Sequence, residues 1–329
     1  MIETNTLTME ANKDFLYNSL VETIKTKIPG RGKITTFLVD LLCIEKEAVY
    51  RRLRGEVPFT FSEIVEIAKE LDISLDNLVQ TSAPKSRPFQ MKIIDFINPT
   101  ERDFFMIENY ARILDDAKKD PDSECGYASN MIPINLCLCY LNLYKFHLLK
   151  WMYQLGDSEC ITYGQITPSE RLMDINQKSA ASSRLIGKTY FIWDKNTLPA
   201  LINDILYFYD IRLIARDEID LIKNDLFLFL NDLEKMAILG KYETGKRIEI
   251  YVSNLNFETT YNYVQAGNHQ ITNIRSFTLN DTISTDRTVF EKVKKWMDSL
   301  VRTSILISGS NEVQRIQFFE KQREILSRL

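Results

Sequence analysis

The sequence predicts a mainly α-helical protein in two parts. Residues 1–80 read as five short helices, and residues 89–329 as a larger, mostly helical domain with a small antiparallel sheet around residues 246–280. Three observations predict this. Apolar residues recur at helical spacing through most of the chain. The segment TSAPKSRP, residues 81–88, has two prolines, two serines and almost no apolar content, so it reads as a linker. Three β-branched and aromatic runs, broken by Asn- and Gly-containing turns, cluster late in the chain.

The first helix is expected over residues 12–28, burying Phe15, Leu16, Leu20, Ile24 and Ile28 and ending in the loop Pro29-Gly30-Arg31-Gly32. Ile34, Phe37, Leu38 and Leu41 mark a second helix. Cys43, Ile44 and Glu45 interrupt it, and Ala48, Val49 and Leu53 resume one buried face on a third. Two short helices joined by a tight turn have the shape of a helix-turn-helix, so the amino-terminal unit is expected to be a five-helix helix-turn-helix domain. Gly55 closes the third helix. Thr60 and Glu63 then form a capping box, and Phe59 with Ile64 a hydrophobic staple, at the start of a fourth that buries Phe61, Ile64, Val65, Ala68 and Leu71. Ser74 caps a last short helix holding Leu75, Leu78 and Val79.

Beyond the linker, helices are expected over residues 101–118, 134–153, 198–214 and 217–239, with a short strand around 187–193. Strands follow at 247–253, 258–264 and 270–279, with a hairpin turn at Gln265-Ala266-Gly267-Asn268. An amphipathic helix carries Val289, Phe290, Val293, Trp296, Met297 and Leu300, and a final helix spans about residues 312–326. The most apolar run, 131–155, includes Asn135, Asn142, Lys145, His147 and Lys150, so it reads as a core helix or subunit interface and not as a membrane span.

Composition narrows the function. At 329 residues, 45% hydrophobic and 26% charged, the chain is ordinary globular protein. Its five cysteines are odd in number and irregularly spaced, which suggests neither a disulfide framework nor a paired zinc site. The stretch MIETNTLTMEANKDF lacks the basic-then-apolar order of a signal peptide, so a cytoplasmic protein is expected, without a membrane partner. His147 and His269 are the only histidines, leaving little material for acid-base relays or metal sites; no enzymatic activity, cofactor or metal is expected. Gly187-Lys188-Thr189 has Ser182 where a phosphate-binding loop needs glycine. Cys137 and Cys139 read as inert thiols, and Asp217, Glu218, Asp220, Asp225 and Asp232 as members of solvated helix faces.

Net charge is −4, yet residues 25–54 hold Lys25, Lys27, Arg31, Lys33, Lys46, Arg51, Arg52 and Arg54 against Asp40, Glu45 and Glu47, an excess of five positive charges. Residues 55–87 reverse the sign. Positive charge therefore coincides with the helix pair. The third helix exposes Lys46, Glu47, Tyr50, Arg51 and Arg54, long hydrogen-bonding side chains suited to base edges in a DNA major groove.

Residues 33–79 resemble the phage-repressor-like helix-turn-helix (XRE) family in Leu38, Ile44, Val49, Arg51 and Gly55, and downstream in Ile64, Ala68, Leu71, Ile73, Ser74, Leu75 and Leu78. Val39, Cys43 and Glu45 stand where the family usually has Ala, Gly and a Ser or Thr cap. The resemblance implies a dimeric regulator of transcription that binds double-stranded DNA. Lys46, Glu47, Tyr50 and Arg51 would then contact bases. Arg31, Lys33, Thr35, Thr36, Arg52 and Arg54 would contact phosphates, the threonines through their helix N-terminus. A homodimer is expected through the second domain, with the 136–151 and 289–300 stripes as candidate seams. That domain is also large enough for a small-molecule or peptide effector, although no residue identifies one. The alternative is a protein–protein interaction module that uses the same helix pair without DNA, as Glu45 and Glu47 permit.

Overall fold

The computed structural model describes residues 16–28, 31–71, 73, 75, 78, 89–156 and 161–329. The chain divides into two compact units, Met1–Pro88 and Phe89–Leu329, and is mainly helical.

In the first unit, α1 (16–27), α2 (Arg31–Leu42), α3 (Lys46–Leu53) and α4 (Phe61–Glu70) enclose one core of Leu20, Val21, Ile24, Ile34, Leu38, Val49, Phe59, Ile67 and Ala68. Arg31 and Gly32, expected in a loop, already belong to α2. A glycine in a helix costs about 1 kcal/mol, less than burial of Ile34 and Leu38 returns. Phe61, expected in the core, is 77% exposed, because the staple residue Phe59 takes the buried site and stacks on Tyr17 at 6.0 Å. Phe15, Ser74 and Val79 lie outside the described residues; Leu75 and Leu78 are helical, and Leu78 is buried.

A bidentate ion pair ties α3 to the start of α4. Arg52 donates from Nε to Glu63 Oε2 at 3.0 Å and from Nη2 to Oε1 at 2.8 Å, with both side chains 15% exposed. The same carboxylate accepts the Thr60 N–H at 2.8 Å, completing the capping box. From α1, the Tyr17 hydroxyl donates to the Arg52 carbonyl at 2.7 Å. Burial pushes the Glu63 carboxyl up, but the Arg52 and Thr60 hydrogen bonds outweigh it and hold the group below its ordinary value.

The second unit is built on an eight-stranded mixed sheet. Its strands are β1 (Gln90–Lys92), β2 (Glu124–Ser129), β3 (Lys188–Asp194), β4 (Arg247–Ser253), β5 (Tyr261–Ala266), β6 (His269–Phe277), β7 (Asn280–Ser284) and β8 (Ser304–Leu306), in the order β1-β7-β6-β5-β2-β3-β4-β8. β2, β3 and β4 run parallel, and every other pairing is antiparallel. Of the three strands of the expected small antiparallel sheet, β5 and β6 do pair in the antiparallel wing, whereas β4 is separated from them by β2 and β3 and runs parallel to β3. Helical crossovers join the parallel strands: α5 (Glu101–Ala117) precedes β2, then α6 (Ile134–Cys137), α7 (Leu141–Leu155) and α8 (Glu170–Ser183) lead to β3, and α9 (Thr197–Asp210) and α10 (Arg216–Leu239) lead to β4. The chain ends with α11 (Arg287–Thr303) and α12 (Glu312–Leu326).

Both sheet faces are buried. Tyr127, Phe191, Trp193, Ile248 and Ile250 point to one side, into the core formed with α7, α9, α10 and α12. Ala128, Tyr190, Ile192 and Tyr263 point to the other, where Phe290, Met297 and Leu300 of α11 cover them. Gly126 on β2 lies level with Tyr190 of β3 and Tyr263 of β5, and a Cβ there would come within 2.6 Å of both rings.

The expected single helix over 134–153 is broken between α6 and α7. Asp225, placed on a solvated face by sequence, is buried on α10 and accepts the Asn142 and Leu143 N–H groups at 2.7 and 3.2 Å, capping α7 from outside. Asp232 takes the Tyr140 hydroxyl at 2.8 Å. Most of the 136–151 and 289–300 stripes is core, although Leu141 and Trp296 stay exposed. Among the described residues no helix is long and apolar enough to cross a membrane.

Two outcomes follow from this packing. A group held below its ordinary pKa stabilises the fold above that value and stops doing so as pH falls through its folded pKa. Glu63→Gln should therefore lower the protection of α3 amides in hydrogen exchange by about 2 kcal/mol at neutral pH. The difference from the parent should shrink as pH drops below 4.5. Gly126→Ala should cost the second unit about 1–3 kcal/mol in urea unfolding, since two tyrosine rings must move.

Candidate nucleic-acid interface

α3 has eight residues, too few to be stable alone, so its neighbours define it. At its entry Cys43 has φ +52°, the left-handed conformation that the glycine of the related pattern adopts freely. Glu45 precedes the helix in extended conformation and gives no side-chain cap. The exit is a Schellman motif: the Glu56 N–H donates to the Arg51 carbonyl and the Gly55 N–H to the Arg52 carbonyl, both at 2.9 Å, with Gly55 at φ +76°. Val49 is fully buried on the inner face.

The outer face presents Lys46, Glu47, Tyr50, Arg51 and Arg54, all exposed. Lys46, Tyr50 and Arg54 follow one another at four-residue spacing, with Glu47 and Arg51 alongside, so the candidate base contacts share one face. Eight residues make a rod about 12 Å long, comparable with the width of a major groove. The Lys46 amine lies 6.0 Å from the Tyr50 ring centre.

Acids close most of the charge circuit on this face. Arg54 Nε is 2.7 Å from Glu56 and its Nη2 3.4 Å from Glu47; Arg51 Nε is 3.8 Å from Glu56. The Glu56 hydrogen bond, aided by Glu47, raises the Arg54 pKa. Arg54, Arg51 and Glu56 are each about half exposed. Exposed pairs of this kind hold weakly and exchange partners. Lys46 forms no ion pair among the described residues.

The six candidate phosphate contacts separate. Arg54 and Lys33 are exposed. Arg31 opens α2, but its side chain lies outside what is described. Thr35 is 2% exposed, and Thr36 is exposed. Because α2 starts at Arg31, both threonines lie past the first turn, where the unpaired N–H groups are. Thr35 is thus a core residue. Arg52 is corrected too: its guanidinium is committed to Glu63 and mostly buried. Sequence did carry that signal, since Arg52 lies three residues from Val49, on the inward side of α3, and Glu63 was already visible as a capping-box carboxylate.

A family model described as BetR domain matches residues 17–132. It takes in α1 to α4 and continues through β1, α5 and β2, about a third of the chain. No curated protein and no solved structure matches.

Proposed function

We propose that the chain is a sequence-specific DNA-binding regulator of transcription of the phage-repressor-like helix-turn-helix kind, acting as a homodimer in the cytoplasm. The observation that carries this reading is α3 itself: a short helix locked from behind by the Arg52–Glu63 pair, with Lys46, Glu47, Tyr50 and Arg51 turned outward together. The BetR-domain match supports a regulator-like role. In this reading Arg51 takes guanine edges, Lys46, Glu47 and Tyr50 complete base contact, and Arg31, Lys33 and Arg54 engage phosphate. Thr36 is a neutral addition to that set.

One recognition helix covers few base pairs, so two copies are needed for useful specificity. With most of the earlier candidate seams committed to core, the dimer is assigned in this reading to α10. There Leu221, Leu228 and Leu239 are 50%, 45% and 58% exposed, and Leu221 and Leu228 stand one heptad apart on one side. No enzymatic role is assigned. His147 is buried, neither ring nitrogen has a partner, and burial, aided by Lys150 and Arg275, drives its pKa down to about 3.

One observation favours a second reading, a protein-binding helix pair: Glu47 and Glu56 already neutralise Arg54. Salt decides between them. Sequences selected from random duplex by the whole protein should bind with a log–log salt slope of about −3 per protomer, and nearer −5 for a dimer, from Arg31, Lys33 and Arg54. Replacing Lys46 and Arg51 together by alanine should weaken binding about 10- to 100-fold while the thermal melt stays unchanged. Failure of the whole protein to select or retain any duplex, even at low salt, would point to the protein-binding reading. Separately, Leu221→Glu with Leu228→Glu should shift sedimentation from dimer to monomer; an unchanged dimer would remove α10 as the seam.

A further inference from the structure

Within the second unit a cavity of about 140 Å³ lies between the β1-β7-β6 wing of the sheet and α5, α6 and α8. Phe96, Tyr110, Tyr127 and Tyr144 bring four rings to its wall, and Ile107 and Leu138 add aliphatic surface. A cavity of about this size accepts one six-membered ring. A wall of ring faces and edges favours an aromatic one.

Charge on the wall is already committed. Lys92, Arg275 and Asp281 are the charged lining residues. Asp281 on β7 sits in register between the two cations, with Arg275 Nε 3.0 Å from its Oδ1. Lys92 acts electrostatically on the same carboxyl group and is not a free cation. A charged ligand would give up its hydration here without a free counter-charge to replace it. An uncharged ligand meets no such cost.

Uncharged polar atoms, by contrast, are left over. Asn280, 2% exposed, accepts the Ile94 N–H through Oδ1 at 2.9 Å. A backbone N–H can only donate, so this bond fixes the orientation of the amide and turns Nδ2 away, where it has no partner. Asn135, 9% exposed, donates from Nδ2 to the Tyr127 hydroxyl at 3.4 Å and keeps a partnerless Oδ1. Both side chains line the cavity. Buried polar atoms are nearly always hydrogen-bonded. An unmet donor and an unmet acceptor on one wall match a group that offers both in return, as a neutral carboxamide does.

We propose that this cavity is the binding site for a small uncharged aromatic carboxamide, of benzamide size. Its carbonyl accepts from the Asn280 amide, its own N–H donates to Asn135 Oδ1, and its ring lies among Phe96, Tyr110 and Tyr144. Every residue of the site belongs to Phe89–Leu329, so the inference stands whether or not α3 reads DNA.

Isothermal titration of the whole protein with benzamide, its charged isostere benzoate, acetophenone and toluene tests it. Benzamide should bind saturably at or below ~1 mM, about tenfold or more tighter than benzoate or toluene. Acetophenone, which has the acceptor and no donor, should fall between. Asn280→Asp keeps the acceptor for the Ile94 N–H and replaces the free donor by an oxygen, so acetophenone affinity should drop at least about tenfold. Should that variant lose its cooperative melt, Leu138→Phe serves instead: narrowing the cavity should weaken benzamide at least about tenfold with the melting temperature kept or raised. Absence of saturable benzamide binding, equal or tighter binding of benzoate or toluene, or undiminished binding in either folded variant would each overturn the assignment.

Discussion

The placement of α3 depends on a carboxylate and a guanidinium that meet almost out of water. A pair like Arg52–Glu63, mostly buried and hydrogen-bonded through two parallel contacts, loses much of its Coulomb gain to desolvation. Its value lies in geometry, because a planar fork on a planar carboxylate admits one mutual orientation. Glu63 is also the N3 residue of the α4 capping box, so the same oxygens fix where α4 begins and how α3 is rotated. The Tyr17 hydroxyl on the Arg52 carbonyl brings α1 into the arrangement. Rotation of α3 decides which side chains face outward, and the rest of the interface inherits that choice.

The second unit obeys a different constraint, the covering of a sheet on both faces. β3 has to supply apolar side chains alternately to two cores, which is why its sequence runs as Thr-Tyr-Phe-Ile-Trp without polar alternation. β2 lies between two strands that each direct a tyrosine at its α11 side, and small residues there make the room. α11 then closes that face, with Asp286 capping its first turn through the Val289 N–H. The β1-β7-β6 wing extends beyond this covered centre, and Lys92, Asp281 and Arg275 stand side by side on it.

Legibility in the sequence followed the strength of the local signal. The capping box at Thr60 and Glu63, the hairpin at Gly267-Asn268 and the last helix all emerged where the residues place them, because each is decided by neighbours in sequence. The left-handed turn at Cys43 was foreseeable for the same reason. β2 was not legible: Glu-Cys-Gly-Tyr-Ala-Ser has poor strand propensity and becomes a strand only through pairing with β3 and β5. α8, ending in Ala-Ala-Ser-Ser, hides in the same way, since Ala180, Ser182 and Ser183 are buried for their smallness and not for their hydrophobicity. At the candidate interface, the outward residues of α3 followed from its period. Thr35 and Arg52 have the chemical type of phosphate contacts, but helical phase turns both inward.

Acids on the outer face of α3 bear on the kind of partner it meets. Glu56 and Glu47 hold Arg54 and Arg51 in pairs that water screens, so a phosphate arriving at those guanidinium groups exchanges one anion for another and leaves no cation newly buried. The carboxylate that is released repels the backbone, and this penalty falls on every duplex alike. In the proposed role, affinity for DNA in general would thereby be lowered, while contacts from Arg51 and Lys46 to base edges would keep their sequence dependence. In the proposed DNA-binding role, a helix of this composition would give up non-specific binding before discrimination, as a regulator that leaves most of a genome unoccupied requires.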